Sequence, residues 1–184
     1  MSSNRLIIAI ILAGLVSFHM SGCAVYNVAR DERSVGKIVD DKIIASKIKY
    51  QLFRDDTVKG LDISVYVFLG KVFLVGAVEN KAQKKKAVII SKNIEGVKSV
   101  KEYILSKDKM SLGKKVDDRA ITAKVKVKMI KDTEMKSTQI YVKTILGHVV
   151  LLGIVEDKKD MTKAVNYARS VDNVTNVVNF IMLK

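Results

Sequence analysis

A residue pattern 17 positions long occurs twice in this chain, and this repeat limits what the chain can fold into more than any other feature. Ile63 to Glu79 returns 77 residues later as Ile140 to Glu156, with Gly70 falling on Gly147. Each copy consists of two β-branched and aromatic runs joined at that glycine, a pattern that predicts a β-hairpin. The chain is therefore expected to contain one structural unit written twice.

Each hairpin is preceded by a predicted helix that begins at two adjacent aspartates. Asp40 and Asp41 open a helical run that ends near Arg54, and Asp117 and Asp118 open its counterpart, which ends near Lys131. An acidic pair could also bind a metal or act as an acid–base pair. Capping is the favoured interpretation, because Asp is strongly preferred at helix N-termini, where it suits the helix dipole.

A second helix and a last strand complete each unit. The helices span about 82–93 and 159–170, with Asn80 and Asp157 as the expected caps. They stop before Gly96 in one copy and Asn173 in the other, two residue types that tolerate a left-handed backbone after a helix. Strands at 97–105 and 174–182 follow, and glycines at positions 76 and 153 indicate a bulge or close backbone approach inside the hairpin strands.

These elements predict an α+β chain with two tandem αββαβ domains, at residues 37–107 and 114–184. Each domain is expected to form a three-stranded mixed sheet with two helices on one face. A hydrophobic fraction of 48% is ample for such cores and argues against general disorder.

The N-terminal segment predicts export. Arg5 precedes an apolar run over residues 6–16, about half the length needed to span a bilayer, and Met20-Ser21-Gly22 leads into Cys23. One interpretation is a short membrane anchor with an incidental cysteine. The favoured one is a lipoprotein signal peptide, residues 1–22, cleaved before Cys23, which becomes the lipid anchor of a tether over residues 23–36. By analogy with enterobacterial lipoproteins, Ala24 in place of Asp favours the outer membrane.

This arrangement resembles the BON domain, a bacterial envelope module. The resemblance lies in the tandem αββαβ order, the Asp-Asp helix starts, the glycines late in the hairpins and the Gly or Asn after the second helix. Two copies behind a lipobox are similar to the dual-BON outer-membrane lipoprotein family. That resemblance implies a periplasm-facing, lipid-anchored protein. It also implies anionic phospholipid binding through the first helix of the second domain, and roles in envelope integrity and at division sites.

The residue inventory speaks against catalysis. Without the signal segment His148 is the only histidine, and it follows the hairpin glycine, where a satisfied surface histidine is expected. One histidine gives no metal site, and no catalytic or phosphate-loop motif is present, so no cofactor is predicted.

The net charge of +14 suits acidic partners. Export and the scarcity of aromatic residues argue against nucleic acid. The run Lys84 to Lys86 is interpreted as a solvated helix face.

The first helix of the second domain carries the predicted binding site. At 100° per residue, Ile121, Val125 and Met129 share one face, which is expected to pack on the sheet. A different side gathers a second apolar stripe bordered by lysines, which suits an anionic bilayer surface. The predicted phospholipid-binding residues are Ala120, Ala123, Lys124, Val127, Lys128, Ile130 and Lys131.

Two alternatives stay open for this stripe. It could be buried between the domains, and the first helix of the first domain carries a larger stripe of the same kind: Ile43, Tyr50 and Phe53 beside Lys47 and Arg54. We expect the aromatic stripe to form the domain contact and the smaller one to face lipid. In the dual-BON family an aromatic residue often stands at the position of Ala120, which shifts the expected weight here to the lysines. The alternative function is a periplasmic adaptor that docks envelope proteins on the same helix face.

Overall fold

The computed structural model describes residues 35–58, 62–106 and 117–184. The signal peptide, Cys23, most of the tether and the connection at 107–116 lie outside these ranges. The first domain contains α1 (Val35–Arg54), β1 (Ile63–Phe68), β2 (Lys71–Val78), α2 (Lys81–Lys92) and β3 (Ser99–Ser106). The second contains α3 (Asp118–Lys131), a 3₁₀ turn (Ser137–Gln139), β4 (Ile140–Ile145), β5 (His148–Val155), α4 (Lys158–Arg169) and β6 (Asn176–Leu183).

Both domains have the predicted αββαβ order and the same sheet topology. The hairpin strands pair antiparallel, and the last strand of each domain pairs parallel with the second hairpin strand. The strand orders are therefore β1-β2-β3 and β4-β5-β6. The predicted α+β fold, with two three-stranded mixed sheets each covered by two helices, is confirmed.

The central strand of each sheet is buried on both sides. In β2, Val72 and Leu74 belong to the core under the helices, whereas Phe73 and Val75 belong to a separate core that the two sheets share. In β5 the same alternation places Val150 and Leu152 in the shared core. A near-continuous apolar run is the sequence pattern of a strand with both faces covered. The described chain is thus a four-layer α/β/β/α sandwich.

The expected domain contact through α1 is wrong. The domains meet through their sheets, where the Phe73 and Phe180 rings lie 5.4 Å apart and Tyr66 lies 5.9 Å from Tyr141, both measured between ring centroids. The aromatic stripe of α1 is instead exposed on the outside of the sandwich. The sheet faces offer a far larger apolar area than one helix stripe, so burying them against each other is the stronger driving force.

The predicted start of the first helix is also wrong. α1 begins at Val35, so Asp40 and Asp41 lie inside the helix, and Val35 and Gly36 of the expected tether are helical. The inward-facing side of the helix extends one turn further back than the aspartates, because Ile38 is buried three residues before Asp41, which is itself buried.

The other helix boundaries follow their predicted signals. The Asp117 carboxylate accepts hydrogen bonds from the amides of Arg119 and Ala120 at the start of α3. Asn80 forms a capping box with Gln83 at the start of α2. Asp157 caps α4 by accepting a hydrogen bond from the Lys159 amide. Gly96 and Asn173, one after each second helix, both have the predicted positive φ, at +86° and +65°.

Candidate functional site

Helix α3 packs on its sheet by one face only. Ile121, Val125 and Met129 are buried against the sheet, as the periodicity predicts, and they belong to the helix-side core of the second domain. The other residues of the helix are exposed, apart from Asp118 and Thr122, which are half-buried.

The predicted stripe lies among these exposed residues. Val127 is 49% exposed and Ile130 is 67% exposed, and Ala120 and Ala123 are exposed beside them. The alternative that this stripe is buried between the domains is therefore excluded. An exposed row of apolar side chains along a helix is a feature that marks interaction surfaces.

Basic side chains border the stripe on both sides. Lys124, Lys128 and Lys131 are exposed along one border, as predicted. At 100° per residue, Arg119 and Lys126 fall along the other border, which the sequence reasoning did not include. Within the described part of the chain, none of these five cations is paired with an acidic side chain. The face therefore presents unneutralised positive charge around an apolar centre.

The single acidic residue within α3 is turned away from this face. The Asp118 carboxylate reaches into the β4–β5 turn and accepts hydrogen bonds from the amides of Leu146 at 2.7 Å and Gly147 at 2.8 Å. Both turn residues have positive φ, at +53° and +77°, the geometry of a type I′ hairpin turn. Interpreting Asp118 as a helix cap was wrong, because its carboxylate binds the turn amides and thereby joins the helix start to the hairpin.

The first domain repeats this arrangement. Asp41, which is 4% exposed, accepts hydrogen bonds from the amides of Leu69 and Gly70, each at 2.8 Å. The helical periodicity of the sequence could have predicted that Asp41 faces inward. Asp41 falls three residues before buried Ile44 and seven before buried Ile48, on the face that packs inward.

Ionic contacts fix the end of α3 to α4. The Lys163 Nζ lies 2.7 Å from an Asp132 carboxylate oxygen, and the Tyr167 hydroxyl donates to the same carboxylate at 2.8 Å. The hydrogen bond from Lys163, followed by that from Tyr167, lowers the pKa of Asp132 from its ordinary value of 3.8. The same contact with Asp132 raises the pKa of Lys163. These contacts hold the last turn of α3 in place.

Two other features singled out in the sequence, His148 and the run of three lysines, lie away from this site. His148 is half-buried at the domain interface, where its Nδ1 lies 2.5 Å from the Tyr103 hydroxyl, so it is satisfied but is not a free surface residue. In the run of three lysines, Lys84 pairs with Glu102 at 2.6 Å and Lys86 pairs with Asp55 at 3.1 Å. That run is a partly ion-paired face of α2.

The described residues hold no group of three side chains suited to bind a metal ion. Over the same ranges, no helix is both long enough and apolar enough to cross a bilayer.

Comparison with known proteins identifies the repeat. The sequence model of the BON domain matches residues 40–105 and again residues 117–184, which together make up most of the chain. The chain belongs to the BON-domain family. Both matches coincide with the αββαβ units described above, so the resemblance stated from the sequence is confirmed.

Several BON-domain relatives cover most of the chain. The outer membrane lipoprotein DolP of Haemophilus influenzae is 30% identical over 171 residues, covering 92% of this chain and 88% of DolP. The osmotically-inducible protein Y of Escherichia coli is 35% identical over 152 residues, covering 82% of this chain and 76% of its own length. A 21 kDa hemolysin of Actinobacillus pleuropneumoniae is 29% identical and covers 82% of this chain and 79% of its own length.

Proposed function

We propose that this protein is an envelope lipoprotein that binds anionic phospholipid through α3 of its second BON domain. In this proposal Cys23 carries the lipid anchor, and the two domains face the periplasm from the outer membrane. The similarity to DolP, an outer membrane lipoprotein by name, supports the location. The proposed role is to support the integrity of the envelope, including at division sites.

The observation that carries the proposal is the exposed stripe of α3. Val127 and Ile130 lie open to solvent between two rows of cations. A helix with a basic rim and an apolar centre lies in the plane of a bilayer interface, with its cations at the level of the anionic head groups. This arrangement is the one the α3 surface presents.

Charge is expected to contribute more than insertion. Each Lys or Arg near an anionic surface is worth about 1 kcal/mol, so five cations supply most of the attraction. Ala120 and Ala123 add little buried apolar area compared with an aromatic residue. We therefore propose binding that depends steeply on ionic strength, because surface charges are screened within about 8 Å at physiological salt.

Vesicle sedimentation tests this proposal. The chain from residue 24 onward keeps all three described cores and removes the apolar N-terminal segment, which could bind membranes by itself. We expect it to sediment with phosphatidylcholine vesicles that contain phosphatidylglycerol and to remain in solution with pure phosphatidylcholine. Lys124→Glu with Lys128→Glu should reduce the binding to anionic vesicles at least tenfold and leave the circular dichroism spectrum unchanged.

Two controls separate the α3 face from net charge. Lys71→Glu with Lys101→Glu makes the same charge change at exposed positions on the first sheet and should leave most of the binding intact. Lys124→Arg with Lys128→Arg keeps the charge and should bind as the unchanged protein does. Equal binding to neutral and anionic vesicles would contradict the proposal. Loss of a captured envelope protein in Val127→Asp, with vesicle binding unchanged, would favour the adaptor function instead.

A further inference from the structure

A second exposed stripe lies on the opposite side of the molecule. On α1, Tyr50 is 55% exposed and Phe53 is 75% exposed, and Ile43 lies half-exposed about two turns before Tyr50. The core-facing residues of α1, Ile44, Ile48 and Leu52, lie on the other side of the helix. The stripe is therefore the outermost surface of the first domain, and no described part of the chain covers it.

The two stripes occupy equivalent positions of the repeat. Shifted by 77 residues, Ile43, Tyr50 and Phe53 fall on Ala120, Val127 and Ile130. The apolar side chains differ in size between the copies, but most of the basic border is kept, with Gln51 at the position of Lys128. Four exposed positions are basic in both helices: Lys42 and Arg119, Lys47 and Lys124, Lys49 and Lys126, and Arg54 and Lys131.

The layer order sets the directions of these stripes. Because the sheets pack against each other, α1 and α3 belong to opposite outer layers of the sandwich. Their exposed stripes point away from each other across two helices and a sheet pair, a distance of roughly 30 Å. One flat bilayer cannot contact both stripes at once.

Charge decides what kind of surface fits the α1 stripe. Two copies of this chain meeting through α1 would bring their basic borders together, and like charges in contact disfavour association. Two of the cations have local contacts: Lys47 lies 3.9 Å from the exposed Glu95, and Arg54 donates to the Tyr50 hydroxyl at 3.2 Å. Exposed contacts of this kind are weak and leave the face positive.

The aromatic residues favour a bilayer. Tyr and Trp are enriched at membrane–water interfaces, where a polar end stays wet while the ring is buried. Tyr50 has such a polar end and such a ring, and Phe53 supplies a larger apolar side chain than any in the α3 stripe. A convex helix ridge with cations on both sides is complementary to a flat anionic surface.

We propose that the α1 stripe, Ile43, Tyr50 and Phe53 with its basic border, is a second contact surface for anionic bilayers. Since it faces away from α3, the protein can hold two bilayer surfaces at once, one on each outer layer. The holding of two surfaces rests on the proposed function of α3, whereas the lipid contact of α1 does not depend on it.

Vesicle clustering tests this proposal with the chain from residue 24 onward. Light scattering would follow vesicles of three parts phosphatidylcholine and one part phosphatidylglycerol, and sedimentation would measure binding in the same samples. We expect the unchanged protein to cluster these vesicles. Tyr50→Ser with Phe53→Ser should remove the clustering but keep binding through α3. Leu183→Ser, which removes a half-exposed apolar side chain outside both stripes, should cluster vesicles normally.

A variant of α3 distinguishes lipid binding through α1 from lipid binding through α3. Lys124→Glu with Lys128→Glu should stop clustering while α1 still binds, and adding Tyr50→Ser with Phe53→Ser should weaken that remaining binding about tenfold. Clustering by the α1 variant equal to that of the unchanged protein would overturn the proposal and leave the α3 function standing. Complete loss of binding in the α3 variant alone would also overturn it.

Sedimentation velocity without vesicles covers the remaining outcomes. We expect the unchanged protein and the α1 variant to sediment as the same species. If the unchanged protein self-associates and Tyr50→Ser with Phe53→Ser abolishes this, the stripe is a contact between copies and the lipid proposal is wrong. If the variant instead loses a bound envelope protein while vesicle binding and clustering are unchanged, the stripe is a protein-docking surface.

Discussion

The Tyr103 hydroxyl lies 2.5 Å from Nδ1 of His148, and this hydrogen bond joins the edge strand of the first domain to the central strand of the second. Asn176 donates to the same hydroxyl at 3.1 Å. The core that the two sheets share is apolar, so this polar group helps to fix how the sheets are aligned. Directional contacts within an apolar interface give specificity to a packing that burial alone leaves less defined.

Tyr103→Phe is expected to lower the free energy of unfolding by about 1 kcal/mol, because two hydrogen bonds lose their shared partner while the ring stays in place. Urea denaturation followed by circular dichroism would measure this. Tyr50→Phe is the matched control, since the Tyr50 hydroxyl is exposed and its loss should change stability by less than about 0.5 kcal/mol. Equal stability of both variants would show that the interface does not depend on this contact.

The glycines inside the second strand of each hairpin, Gly76 and Gly153, leave no room for a side chain. A Cβ at Gly153 would lie 2.1 Å from the backbone oxygen of Gln139, and Gly153 has a φ of +146° that other residues rarely adopt. A Cβ at Gly76 would lie 2.1 Å from the Asp62 oxygen. Gly153→Ala and Gly76→Ala should each destabilise the protein by about 3 kcal/mol or more, measured by thermal unfolding.

Gly36→Ala provides the control for these glycine substitutions. Gly36 lies in helix α1 with nothing within 4 Å of the added carbon. Because Ala is the better helix former, this change should stabilise the protein by up to about 1 kcal/mol. A lower melting temperature in Gly36→Ala than in the unchanged protein would contradict the helical start at Val35.

Asp118→Ala should cost about 2 to 3 kcal/mol, because the Leu146 and Gly147 amides lose charge-assisted hydrogen bonds in a turn whose backbone is already unfavourable for leucine. Asp118→Asn keeps one acceptor and should cost less. The neighbouring Asp117→Asn should be close to neutral, since Asn caps helices as well as Asp does. Chemical denaturation of the three variants would check this order.

Stability is expected to fall at acidic pH in part through Asp132. The folded-state pKa of this carboxyl lies below its ordinary value of 3.8, mainly through Lys163. Its stabilising contribution is therefore fully present above the unfolded value and is lost as the pH falls through the lower folded value. Asp132→Asn should make the decline in unfolding free energy below about pH 5 shallower, as measured by urea denaturation at a series of pH values. An unchanged decline would show that the contact with Lys163 carries no stability.

The sequence predicted the parts of this structure that depend on local signals. The repeat fixed the element order, Asn80 and Asp157 marked helix starts, and Gly96 and Asn173 marked the chain reversal after each second helix. The stripe of α3 was also predicted as exposed, because periodicity assigns Ile121, Val125 and Met129 to the core and leaves Val127 and Ile130 outside it.

Features that depend on contacts between distant segments were missed. Asp41 and Asp118 resemble helix caps in the sequence, and only the hairpin brought beside them reveals the amides that they bind. The aromatic stripe of α1 is the larger of the two helix stripes, and its size favours it as the domain contact when only the sequence is considered. The apolar runs of β2 and β5 already indicated strands buried on both sides, which was the signal for sheet-on-sheet packing.

The shared core also explains why the unit occurs twice. Without the other domain, either domain would expose a row of apolar side chains, such as Phe73 and Val75 in the first, to water. Another exposed apolar sheet could then associate with it. The tandem repeat supplies that cover from within the same molecule. Each half therefore depends on the other to cover its sheet, and the two outer helices, which take no part in that contact, can differ between the copies.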